Sequence, residues 1–161
     1  MTSRTQRVSL FLVALLALSG CAAQGGTDYV DVPAAMPGGA IELAVSETCV
    51  EGSDPDCILV NDQYVLKPTA FERASVEDAA VAEAGGQNAV DVTFTDEGAV
   101  VLNALTEEAA GAGEPARLVM KIGPEIRSAV FVAEPLIGNQ IMIALSPDDN
   151  AQETVDLING G

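Results

Sequence analysis

The first apolar stretch of this chain has a length that no membrane span can use, and this decides which residues are left to fold. Residues 8–18 are nearly all apolar but number only eleven, whereas a helix that crosses a bilayer needs about 20. Arg4 and Arg7 precede the run, and the small pair Ser19-Gly20 comes after it, directly before Cys21. A positive leading region, a short apolar core and a small-residue cleavage site are the marks of a secretory leader. On this reading the folded part of the chain begins after Gly20.

The tetrapeptide Leu18-Ser19-Gly20-Cys21 resembles a bacterial lipobox. The resemblance implies a diacylglyceryl group on the sulfur of Cys21 and cleavage just before it. The chain would then be held at the extracytoplasmic side of the cell membrane through lipid. Two acyl chains meet the two-signal requirement for stable attachment. The expected organisation is a lipoprotein signal over residues 1–20, a lipidated Cys21 with a flexible tether over 21–39, and one domain over 40–161. The tether is rich in Ala, Gly and Pro, and a flexible segment of this length reaches about 25 Å.

Charge narrows the partners. The whole chain carries −17, from 7 basic and 24 acidic residues. Without Arg4 and Arg7, five basic residues face 24 acidic ones, giving −19. Such a surface repels nucleic acid and anionic headgroups, so neither is expected as an electrostatic partner. Acidity of this kind also keeps a protein soluble. No stretch shows the regularly spaced oxygen ligands of a calcium loop, so no metal is expected. The chain has no His, which removes the usual general base and the commonest metal ligand. No cofactor is expected either. Hydrophobic residues make up 48%, a globular composition, and about 120 residues outside leader and tether suffice for one domain.

Cys49 and Cys57 bracket a run of turn formers and acids, Val-Glu-Gly-Ser-Asp-Pro-Asp. Outside the cytoplasm this spacing predicts one disulfide closing a small loop. A reactive dithiol is the competing reading; it lacks the Cys-x-x-Cys spacing, and the neighbouring acids would raise a thiol pKa.

Periodicity then lays out the elements. Residues 41–45 read as a strand. Residues 57–60 and 64–66 flank Asn61-Asp62-Gln63 and form either a hairpin or one bent strand. Ser75-Val76-Glu77-Asp78 looks like a capping box opening an Ala-rich helix to residue 84, closed by Gly85-Gly86. Residues 89–95 alternate, with Val90, Val92 and Phe94 on one face. Thr95-Asp96-Glu97 caps a helix to residue 110, with acids at its positive end and Val101 and Leu105 as its buried stripe. Three strands come next, over 117–122, 126–133 and 140–145. Gly123-Pro124 joins the first two, and the run from Glu134 through Pro135, Leu136, Ile137 and Gly138 to Asn139 joins the last two. Ser146-Pro147-Asp148-Asp149 predicts a final helix with Ser146 as N-cap and Ala151, Val155 and Ile158 as its apolar stripe. The order predicts an α+β fold, an antiparallel sheet with helices packed on one face.

Over residues 64–161 this order resembles the head of the first periplasmic domain of SecD, the subunit that works beside the Sec export channel. The resemblance rests on the run from Val90 to Ala99, then Leu105-Thr106, the strand 118–122, Arg127-Ser128-Ala129, the connection 134–139, Gln140-Ile141 and a closing helix that reaches a Gly. Tyr64-Val65-Leu66 followed by Val76 to Ala82 also looks like the family's entry strand and first helix. It implies a SecD-head-like fold and an affinity for unfolded chains. The chain departs from the family at Gly123-Pro124, where an Asp-Gly turn is usual. It also departs at Val130, where a Pro is common, and around Ala144-Leu145, where a Gly is usual. No further apolar run is long enough for the membrane helices that couple SecD to proton flow, so the resemblance carries no energy transduction.

Catalysis is not expected: there is no nucleophile elbow and no Gly-rich phosphate loop. The paired acids Asp96-Glu97 and Asp148-Asp149 are explained by helix N-termini. Two functions remain. One is a non-catalytic module that contacts exported or unfolded polypeptides, or Sec channel subunits, as a secretion accessory. The other is an interaction lipoprotein that docks to one folded envelope partner. Gly123, Pro124, Pro135, Leu136, Ile137 and Gly138 are the candidate partner-binding loop residues, since loops on a rigid scaffold carry recognition.

Overall fold

A computed structural model describes residues 39–160. The leader, Cys21 and the tether up to residue 38 lie outside the described residues. Eight strands and two helices succeed one another as β1 (Ala40–Glu47), β2 (Cys57–Val60), β3 (Gln63–Leu66), β4 (Glu72–Ala84), β5 (Gln87–Phe94), α1 (Asp96–Ala112), β6 (Ala116–Ile122), β7 (Glu125–Val130), β8 (Gln140–Ala144) and α2 (Ala151–Asn159). Six strands form an antiparallel sheet in the order β7-β6-β1-β4-β5-β8, and β2 with β3 makes a separate hairpin. The class is α+β.

The sequence sorts its side chains to two faces of this sheet. In β6, Leu118, Met120 and Ile122 join the larger core, while the alternate residue Val119 joins a second one, as the two-residue period of a strand requires. The larger core takes Val90, Val92 and Phe94 from β5, Ile41 and Leu43 from β1, and the apolar faces of both helices. Both helices therefore cover the same face. The second core takes Val60 and Val65 from the hairpin with Val119 and Ala129, so the hairpin covers the opposite face over β6 and β7.

The small hairpin is held by covalent and backbone means. Cys49 and Cys57 are disulfide-bonded, with Cα atoms 6.0 Å apart. Asn61 and Asp62 both adopt positive φ, 46° and 61°, the pair of left-handed residues that a tight two-residue turn needs. The paired strands Cys57–Val60 and Gln63–Leu66 make this segment a hairpin rather than a bent strand.

Residues 75–84 correct the expectation of a helix. They belong to β4, paired with β1 on one side and β5 on the other. Ala74, Val76 and Ala79 are buried, a spacing broken by a bulge between Val76 and Asp78. The extra residue disguises the alternation and leaves a run that imitates a helix start. Gly85 and Gly86, at φ 61° and 84°, turn a hairpin between β4 and β5 instead of closing a helix. Cross-strand pairing on both sides outweighs the helix propensity of alanine, which is a weak preference.

Two helix details also differ. In α1, Thr95 is the N-cap, its hydroxyl accepting from Gly98 N–H at 3.1 Å. The buried stripe, however, is Ala99, Leu102, Leu105 and Ala109, with Val101 only half-buried. The last helix begins at Ala151 with Asn150 as N-cap, accepting from the N–H groups of Gln152 and Glu153. Ser146 to Asp149 form a turn before it, closed by Asp149 N–H to Ser146 C=O at 2.9 Å. Ala151, Val155 and Ile158 are among its buried residues, as expected.

Two glycines permit backbones to touch. A Cβ on Gly98 would stand 2.1 Å from the carbonyl oxygen of Ser75, and one on Gly39 1.8 Å from that of Ile158. Gly98→Ala should therefore lower the unfolding free energy by about 2 kcal/mol despite alanine's better helix propensity; urea denaturation measures this. Replacing Cys49 and Cys57 together by Ser should cost about 2.5 kcal/mol, the entropy of the short loop they close. The same titration checks that value, and an unchanged midpoint would contradict it.

Candidate functional site

Six strands spaced about 4.8 Å apart would hold the two edges of a flat sheet about 24 Å from each other. Here the edges meet. Arg127 of β7 forms an ion pair with Asp149, just beyond β8, and a second with Glu125 at 2.8 Å. Asn61, at the hairpin tip, donates from its side-chain amide to the Arg127 carbonyl at 3.1 Å and accepts from the Ser146 hydroxyl at 2.9 Å. These bonds tie β7 and the hairpin tip to the turn after β8.

Along their length no ladder joins β7 and β8. β7 and β8 run antiparallel to each other and are joined by residues 131–139, a loop anchored on α1 where Leu136 N–H donates to the Thr106 hydroxyl at 3.1 Å. Between the two edges lies a cleft of about 560 Å³, floored by Leu102, Leu118, Met120 and Ile143 and walled by Phe131 and Met142. Its lining includes the carboxylate of Glu134 and no basic side chain. Its lining also includes Val130, Phe131, Leu136 and Met142, four of the nine large apolar side chains exposed among the described residues, and Ile137 follows Leu136 in the connecting loop. Ile137 is 97% exposed and Phe131 half exposed. An exposed apolar cluster beside a concave apolar floor marks an interaction surface more than a scatter of single residues would.

The backbone of β8 adds hydrogen-bonding capacity. Phe94 N–H donates to Asn139 C=O at 2.7 Å, and Leu145 N–H to Asn88 C=O at 2.9 Å. With the register Val90↔Ile143 and Val92↔Ile141, the odd-numbered residues of β8 face β5. The N–H and C=O groups of Gln140, Met142 and Ala144 therefore point away from the sheet, as alternation in an antiparallel ladder dictates.

The candidate residues from the sequence divide between two ends of β7. Pro135, Leu136, Ile137 and Gly138 lie in the loop over the cleft mouth, and Leu136 lines the cleft itself. Gly123 and Pro124 turn β6 into β7 at the far end, where a Cβ on Gly123 would meet Leu157 of α2 at 3.3 Å. The structure does not bring these two loops together. Cys49 and Cys57 belong to the hairpin, and Cys21 lies outside the described residues. The residues that sequence reading missed are Phe131, Met142, Asn61 and Arg127. Among the described residues no helix is long and apolar enough to cross a membrane, and no group of three or more His, Cys, Asp or Glu could hold a metal.

Compared with known families and characterised proteins, the chain matches no family model and no curated protein.

The tie between the edges is testable by itself. The side chains of Arg127 and Asp149 are 17% and 19% exposed, so their charge-assisted bond contributes about 2 kcal/mol. Asp149→Ala should lower stability by that amount and speed amide exchange in β7 more than in β1. Equal exchange rates in both strands of the variant would show that the pair does not hold the edges.

Proposed function

We propose that this chain is a lipid-anchored extracytoplasmic protein whose domain binds exported or unfolded polypeptides without catalysing a reaction on them. The observation that carries the reading is the apolar cleft between β7 and β8, with four exposed large apolar side chains in its lining. Unfolded chains differ from folded ones in offering apolar side chains and free backbone groups together, and this cleft offers partners for both. The lipobox-like Leu18-Ser19-Gly20-Cys21 supports anchoring at Cys21. The resemblance to the SecD head rests on the sequence order alone, and residues 76–82, read as that family's first helix, lie in β4. A Sec channel subunit is the other partner that the resemblance suggests.

The competing function is docking to one folded envelope protein. Photocrosslinking in living cells separates the two. A probe at Ile137, over the cleft, should capture many different secreted chains, or subunits of the Sec channel, while a probe at Pro124, at the other end of β7, should capture few. Capture of a single folded envelope protein at Ile137 would favour the competing function, and equal capture at Pro124 would remove the cleft from the account. Cys21→Ser should release the protein from the membrane fraction or leave an unprocessed precursor; an unchanged fraction and mass would exclude the lipid anchor.

A further inference from the structure

We infer that the cleft takes its polypeptide as an added β-strand on the free edge of β8, and that the preferred segment alternates apolar residues with small polar ones and carries lysine or arginine at its ends. This rests on the polypeptide-binding reading above and specifies how the same cleft would work. The backbone groups of Gln140, Met142 and Ala144 face the opening, and β8 has no strand paired on that side. The β7 side is already partly engaged, since the Arg127 carbonyl accepts from Asn61. A strand laid along β8 would send every second side chain onto the floor made by Leu102, Leu118, Met120 and Ile143.

Charge selects the occupant. The cleft lining holds Glu134 and no basic residue, Arg117 lies over the ring of its wall residue Phe131 at 5.4 Å, and Asp78 and Asp91 lie together on the outer face of the sheet beside Met142. The basic residues nearest the β7 side are already engaged: Arg127 by Glu125 and Asp149, Lys121 by Glu42, and Arg117 by Gln63 and backbone carbonyls. A second copy of this chain would bring a further −17 against the same face. A fatty acid in the cleft would bring its carboxylate towards Glu134. An extended segment flanked by cations gains from each of these charges.

The test uses the full-length chain in detergent and a short fluorescent peptide of alternating valine and threonine with lysines at both ends. The peptide should bind saturably, and N-methylation of one alternate set of its amides should weaken binding about tenfold, as loss of one or two backbone hydrogen bonds implies. N-methylation of the other set should leave the affinity within about twofold. A peptide ending in glutamates should bind about tenfold more weakly than the lysine peptide. Met142→Pro, which removes an N–H outside the sheet's own ladder, should weaken binding much more than Met142→Ala, with both variants checked for cooperative unfolding.

Equal effects of the two methylation sets would overturn strand addition. Equal affinity for the glutamate peptide would overturn the charge preference. Either result, with denatured polypeptides still bound, would leave the broader reading intact. Failure to bind the peptides and denatured polypeptides alike would remove both.

Discussion

Arg127 reaches from β7 to Asp149 in the turn after β8, and this contact links the two sides of the six-stranded sheet. Twist by itself leaves such a sheet an open, saddle-shaped surface. The ion pair, with Asn61 spanning from the Arg127 carbonyl to the Ser146 hydroxyl, joins β7 to the turn after β8 at one end. At the other end residues 131–139 connect the two strands, with Leu136 bonded to Thr106 of α1. A closed barrel would have used up the backbone groups of β8, and a flat sheet would have had no cleft. The half-closed form keeps both an apolar floor and a free edge.

Edge strands are usually protected against pairing with foreign chains by charge, proline or shortness. β7 has such protection: Arg127 and Glu125 are charged, Pro124 precedes it, and Asn61 occupies one of its carbonyls. β8 has little. Its sequence Gln-Ile-Met-Ile-Ala carries no charge, and it is short but open. The asymmetry between the two edges is the physical reason for placing an incoming strand on β8.

Much of the fold was legible in the sequence, and its failures have specific causes. β5, α1 and the three strands after it are read from periodicity and from Thr95 acting as an N-cap, except that β7 ends at Val130 rather than at residue 133. The disulfide is read from two cysteines around a turn-forming loop. β4 was hidden because a bulge at Val76–Asp78 breaks its alternation and alanine carries little strand signal. The start of α2 was misplaced because Ser146-Pro147-Asp148-Asp149 has the composition of a helix N-terminus yet forms a turn, with Asp149 committed to Arg127. The candidate loop over the cleft was readable as a Pro- and Gly-containing connection. The cleft itself was not, because Phe131, Met142, Asn61 and Arg127 are brought together only by sheet closure, which no local pattern encodes.

A binding edge on β8 would show itself in backbone exchange. In amide-resolved NMR of the protein titrated with a denatured secreted polypeptide, the amides of Gln140, Met142 and Ala144 should become protected from exchange while those of β2 and β3 do not change. Binding that protects the hairpin or α2 and leaves these three amides as they were would contradict it.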